Sequence, residues 1–209
     1  MLSFIVEILD PVKAQGFRYP MDKQAIRIAT AHDAAAIAAI YGHYVEKTAI
    51  SFEIEPPGVD EIAKRMARIT ATFPWLVYEE DGEVLGYSYA SPHHERAAYC
   101  WSADGAVYVK HGSIRRGVGR SLYQTLIAIL RLQGFHSIFG GITLPNAASV
   151  GLHESCGFLP VGVYKEAGFK MGAWYDVGWW GLRLSDASLH PVHPRIFAPG
   201  MLHETLQVK

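Results

Sequence analysis

The chain has 209 residues, 50% of them hydrophobic, 12% aromatic and 19% charged. That composition excludes wholesale disorder, and a chain of this length builds a core without disulfides or a metal. Nineteen basic against twenty acidic residues give a formal charge of −1, which excludes a polybasic nucleic-acid footprint and leaves any bound anion to local geometry.

Cys100 and Cys156 lack the spacing of a metal site. They read as buried thiols of a reduced compartment, so no metal is expected. No apolar run approaches the roughly 18 residues of a membrane span. The apolar opening lacks a basic region and a cleavage site, and the protein reads as cytoplasmic.

Residues 1–24 read as a dispensable extension, with Met21 a candidate start. The domain proper, 25–184, opens with a short alternating strand at Ala25–Ala29. Thr30-Ala31-His32-Asp33 reads as a capping box. After it Ile37, Ile40, Tyr41, Tyr44 and Val45 fall on one helix face. A second helix follows Pro56-Pro57-Gly58, with Val59, Ile62, Ala63, Met66 and Ile69 on one side.

Trp75–Tyr78, an Asp81-Gly82 turn and Val84–Ala90 make a hairpin. Tyr99–Trp101 and Val107–Val109 read as further strand segments. A third helix runs from Gly117–Gly119 to a stop at Gly134. Ser137–Thr143 is a strand, and Asn146 caps a fourth helix ending at Gly157. Val161–Tyr164 and Asp176–Leu184 close the sheet. The His- and Pro-rich stretch 185–209 lacks periodicity and reads as a tail. The pattern predicts a mixed α/β (α+β) domain, with a mostly antiparallel sheet flanked by about four helices.

The densest chemical signal is Val107-Tyr108-Val109, followed by Ile114-Arg115-Arg116-Gly117-Val118-Gly119-Arg120 and an apolar helix. A strand, a Gly-x-Gly turn and a helix start present unpaired N–H groups at the positive end of a helix dipole. The arginines add charge suited to a phosphate. Neither a Walker loop nor a dinucleotide fingerprint matches. A tight turn alone would also explain the glycines.

This block resembles the acetyl-CoA motif of the GNAT acetyltransferase superfamily. Within it the chain is similar to the phosphinothricin and methionine sulfoximine N-acetyltransferases over about residues 26–184. The likeness extends through Trp75-Leu76-Val77, Asp81–Val84, Ala90-Ser91-Pro92, Leu144–Val150, Leu152-His153-Glu154, Gly157-Phe158 and Gly168–Gly178. It implies a GNAT fold, acetyl-CoA as co-substrate, a small amino-acid substrate and a homodimer.

By that resemblance Val107, Tyr108 and Val109 pair with pantetheine amides, and Arg115, Arg116, Gly117, Val118, Gly119 and Arg120 hold the pyrophosphate. Asn146 and Ser149 touch the pantetheine arm; Asn146 also suits a helix cap. Ile114 departs from the family's usual Gln or Arg, which points to weaker cofactor affinity.

Acetyl transfer to an amine needs a neutral nucleophile, a polarised carbonyl and a proton for the departing thiolate. Asp104 stands where the family has its catalytic Glu. Its shorter side chain favours a water relay, while Asp104-Gly105 would also make a solvated turn. His153, in the Leu-His-Glu match, would supply a proton or orient water. Arg96, Tyr99 and Phe52 match substrate positions, and Lys170 and Trp174 complete the pocket or a dimer contact. His93-His94 beside Arg96 is the one other histidine pair to follow. Two rivals stand beside this reading: an acetyltransferase for peptide N-termini or other amines, and a non-catalytic acyl-CoA-binding module.

Overall fold

The computed structural model describes residues 24–207. The expected N-terminal extension, Gln24 apart, lies outside them, as does Met21. Seven strands, β1 (Gln24–Ile28), β2 (Trp75–Glu80), β3 (Glu83–Pro92), β4 (Ser102–Val109), β5 (Ser137–Leu144), β6 (Leu159–Lys170) and β7 (Ala173–Arg183), form one sheet of order β1-β2-β3-β4-β5-β7-β6. Every neighbouring pair is antiparallel except β4–β5.

Alternation along the strands builds a core on each face. In β2, Leu76 enters one core while Trp75 and Val77 enter the other. Helices α1 (Ala34–Lys47) and α2 (Val59–Thr70) close the second with Ile37, Ile40, Ile62 and Met66. Helix α3 (Val118–Gln133) closes the first with Leu122, Leu126, Ile129 and Leu130, and α4 (Ala147–Ser155) adjoins β5. The Thr30–Asp33 capping box forms, with Asp33 Oδ2 accepting the Thr30 N–H at 2.7 Å. Arg27 forks onto the same carboxylate at 2.7 and 2.8 Å.

Three elements differ from the sequence reading. Tyr99 ends a 3-10 turn, Ala97–Tyr99, and β4 begins only at Ser102. The backbone bonds locally at Tyr99 N–H to Arg96 O, 2.9 Å, and Cys100 N–H to Ala97 O, 3.1 Å, which withholds these two residues from the sheet, while Trp101 O already meets the start of β5 through Ser137 N–H at 3.3 Å.

The closing hairpin is longer than expected and carries a bulge between Tyr164 and Gly168. Asp176 holds that bulge, accepting the Glu166 N–H at 2.9 Å and the Lys165 ammonium at 2.7 Å.

The third difference lies in the expected tail. A fifth helix, α5 (Pro199–Gln207), buries Met201 and Leu202 in the α3-side core. The approach to it is fixed by Arg195 N–H to Gln133 O at 2.7 Å and Phe197 N–H to Thr72 O at 3.0 Å.

Candidate active site at the fork between β4 and β5

The parallel pairing of β4 with β5 covers only Ser102–Asp104 against Ser137–Phe139. Beyond it β4 stays paired with β3, and β5 with β7, so the sheet splits. Lys110 N–H bonds to Leu85 O at 2.8 Å. Because successive residues of a strand present their polar groups to alternate sides, Val107 and Val109 turn theirs away from β3, into the gap. Tyr108, between them, packs its ring on Tyr41, Tyr44 and Tyr87 instead. Tyr44 reaches the gap's edge, donating its hydroxyl to Val109 O at 2.6 Å.

The Gly-x-Gly turn stands at the mouth of this fork. Gly117 caps α3 with φ +84°, and the first intrahelical bond is Ser121 N–H to Gly117 O at 2.9 Å. The amides of Val118, Gly119 and Arg120 therefore have no acceptor within the helix. Arg115 and Arg120 are exposed beside them, whereas Arg116 is paired with Glu80. Asn146 Oδ1 accepts the Ser149 N–H at 3.0 Å, so its carbonyl oxygen is committed to capping α4.

Asp104 sits at the apex, the last residue of the parallel pairing. Its Oδ1 lies 2.7 Å from His93 Nδ1. Burial pushes its carboxyl upward, and the His93 hydrogen bond pulls it part of the way back. Tyr99 stands nearby, its ring 5.8 Å from that of His93 and 4.9 Å from that of His94. Arg96, exposed, precedes the same turn.

On the α3 side of the apex lies a pair that the sequence reading met only by half. His153, 5% exposed, donates Nδ1–H to Ser149 O at 2.8 Å, and its Nε2 accepts from the Tyr123 hydroxyl at 3.1 Å. Burial lowers the His153 pKa and raises that of Tyr123, so both are neutral at pH 7. The strands above them are glycine by necessity: a Cβ on Gly140 would stand 2.4 Å from His153 Nε2, and one on Gly105 3.0 Å from the Tyr123 hydroxyl. Tyr123 lies on the apolar stripe of α3, which is why its spacing reads as core.

The remaining expected residues separate. Phe52 packs on the backbone of β6 at Gly168. Lys170, 6% exposed, spends its ammonium on Val45 O at 2.6 Å and Ser51 O at 2.7 Å, pinning the loop that carries Phe52. Trp174 is exposed near the hairpin tip, its ring 5.3 Å from Phe169. A cavity of about 560 Å³ between Trp101, His136, Asp186 and Arg195 contains none of the expected site residues. Among the described residues no helix is long and apolar enough to cross a membrane. No group of three or more His, Cys, Asp and Glu among them could hold a metal ion.

Residues 26–179 match the acetyltransferase (GNAT) domain family. The chain belongs to the GNAT acetyltransferases. It is 43% identical over 155 residues to phosphinothricin N-acetyltransferase of Streptomyces viridochromogenes, covering 74% of this chain and 85% of that protein. It is 35% identical to the L-methionine sulfoximine/L-methionine sulfone acetyltransferase of Salmonella typhimurium, covering 77% and 95%. Among solved structures, a GNAT superfamily phosphinothricin acetyltransferase from Sinorhizobium meliloti in complex with acetyl-CoA superposes with a TM-score of 0.78 at 30% identity, over 81% of this chain and 94% of that one. As a GNAT member the protein is an acyltransferase.

Proposed function

We propose that the protein transfers the acetyl group of acetyl-CoA to the amino group of a small α-amino-acid analogue, by direct attack in a ternary complex. Phosphinothricin and methionine sulfoximine are the first candidate substrates. The observation that carries this reading is the fork: inward-turned polar groups on Val107 and Val109, a helix start with unpaired amides at its mouth, and a half-buried carboxylate at its apex. These features fit acetyl-CoA, whose thioester supplies the activated acetyl group.

The chain's own residues do the rest. Val107 and Val109 extend a ladder to an amide-bearing arm, with Asn146 and Ser149 on the α4 side. The α3 amides, with Arg115 and Arg120, hold a pyrophosphate. Arg116 begins from its pairing with Glu80 and adds charge at the rim. An α-ammonium titrates near about 8, and each pKa unit is about 1.4 kcal/mol, so at neutral pH losing its proton costs little. Asp104 is placed to draw that proton away, directly or through a group between them.

His153 already donates Nδ1–H to a carbonyl and accepts from Tyr123. We assign this pair to shaping and orienting the apex rather than to handing over a proton. Phe52, Tyr99 and Arg96 wall the amino-acid side. Lys170 supports that wall from behind, and Trp174 belongs to the outer face of the hairpin.

The partner we propose is a second copy of the chain. β6 is an edge strand, and its Leu159 is 70% exposed with Val161, Val163 and Tyr164 also exposed. An unpaired apolar edge of this length is a template for pairing, and self-pairing satisfies it symmetrically. A cytoplasmic setting agrees with Cys100 and Cys156, which are free of disulfides.

Steady-state kinetics of Asp104→Asn test the catalytic reading. A fall in kcat of about 100-fold or more, the range of lost acid–base catalysis, with little change in the KM for acetyl-CoA, is the expected result. Near-normal turnover would remove Asp104 from the mechanism.

A further inference from the structure

We infer that His93 is a catalytic residue of this reaction, its Nε2 accepting the proton of the substrate amine while Asp104 holds the ring at Nδ1. The inference rests on the acetyl-transfer reading and names the group that does its proton chemistry.

The geometry begins with register. Ser91 pairs with Asp104, and Pro92 with Ala103, where β3 ends. His93 N–H continues to Ser102 O at 3.4 Å. His93 and Asp104 are thus diagonal neighbours on one face of an antiparallel pair, within reach of each other's side chains. The His93 ring then crosses the apex of the fork. It stacks on Phe139 of β5, with centroids 4.6 Å apart and planes at 28°, and meets Trp179 of β7 edge-on at 6.0 Å. A histidine just beyond the end of β3 therefore lies over the β5 side of the split, bonded to Asp104 of β4.

Its chemistry follows from the bond it makes. An ionised carboxylate only accepts, so the 2.7 Å contact puts the proton on Nδ1 and leaves the Nε2 lone pair free. This is the relation by which a carboxylate fixes the tautomer of a catalytic imidazole and stabilises the cation it becomes. The side chains are 20% and 33% exposed, reachable by a small amine yet sheltered. His93 also lines a cavity of about 530 Å³ with Arg68, Ser91, His94 and Glu95.

The step balances. The first proton of the ammonium passes to His93 Nε2 and on to water. The nitrogen lone pair then forms the N–C bond to the acetyl carbon as the C–S bond breaks, its electron pair going to sulfur. The second nitrogen proton is the one sulfur takes up.

The test uses the full chain and its His93→Ala, His93→Phe and Asp104→Asn variants, with acetyl-CoA and phosphinothricin. CoA affinity by calorimetry and thermal stability confirm folding. His93→Phe keeps the stack on Phe139 and removes the base. The expected result is a loss in kcat of about 100-fold in both His93 variants, with KM for acetyl-CoA unchanged. Free imidazole restores turnover in part to His93→Ala, and His93→Phe combined with Asp104→Asn is no worse than the poorer single variant.

Turnover of His93→Phe within about threefold of the parent, or losses that multiply in the double variant, would overturn the role of His93 and leave acetyl transfer standing. An unsubstituted protein that acetylates no amine would overturn both.

Discussion

The ring of Phe52 rests on the backbone of Gly168, so closely that a Cβ there would stand 2.2 Å from Cε2. The loop between α1 and α2 is thereby seated on β6, with the Lys170 ammonium tying Ser51 O of the loop to Val45 O of α1. Gly168→Ala should displace Phe52 and raise the KM for the amino-acid substrate severalfold, while the KM for acetyl-CoA stays put. Initial-rate kinetics with each substrate varied in turn check this; equal effects on both would place Phe52 outside the substrate wall.

His153 is held neutral below its ordinary value of 6.5, chiefly by burial, against the bond to Ser149 that favours its charged form. The unfolded chain therefore binds a proton that the folded one resists. The group's contribution is fully present above 6.5 and is lost as pH falls through the folded-state value. Denaturant unfolding at pH 7.5 and 5.5 should show a smaller acid loss in His153→Gln than in the parent. An equal loss would contradict the buried neutral imidazole.

Helix α5 completes the α3-side core. Leu202→Ala should cost about 2–5 kcal/mol, the usual range for a buried leucine, read as a lower denaturant midpoint at unchanged slope. A cost under about 0.5 kcal/mol would mean that α5 is not part of the domain.

The β6 edge gives a prediction about assembly. The parent should sediment as a dimer and Val161→Lys as a monomer, since a charge on an edge strand opposes pairing. A monomeric parent, or a dimeric variant, would move the interface elsewhere.

Much of the domain was legible because its signals are local. The capping box at Thr30–Asp33, the Asp81-Gly82 turn and the glycine stop at Gly134 each act within a few residues. The strand Val107–Val109 and the Gly-x-Gly turn after it are likewise local, although the fork they flank is not. What escaped depends on contacts between distant segments. Tyr123 reads as one more apolar-stripe residue because its partner His153 lies a helix and a strand further on. His93 stood out as half of a pair, but only the register of β3 on β4 brings it to Asp104. Lys170 reads as a pocket or dimer-contact residue until Val45 and Ser51 are seen to occupy it. Helix α5 left a faint signal, a proline at its first position ahead of Met201 and Leu202, in a stretch too short for periodicity to speak.

The most direct test of the account is CoA thiol release from acetyl-CoA, followed with a thiol reagent across a panel of amines. The panel holds phosphinothricin, methionine sulfoximine, the common amino acids, a short peptide and a polyamine. The account predicts turnover concentrated on the amino-acid analogues, with little on the peptide or polyamine. Preference for the peptide or polyamine, or silence across the panel with CoA binding intact, would contradict it.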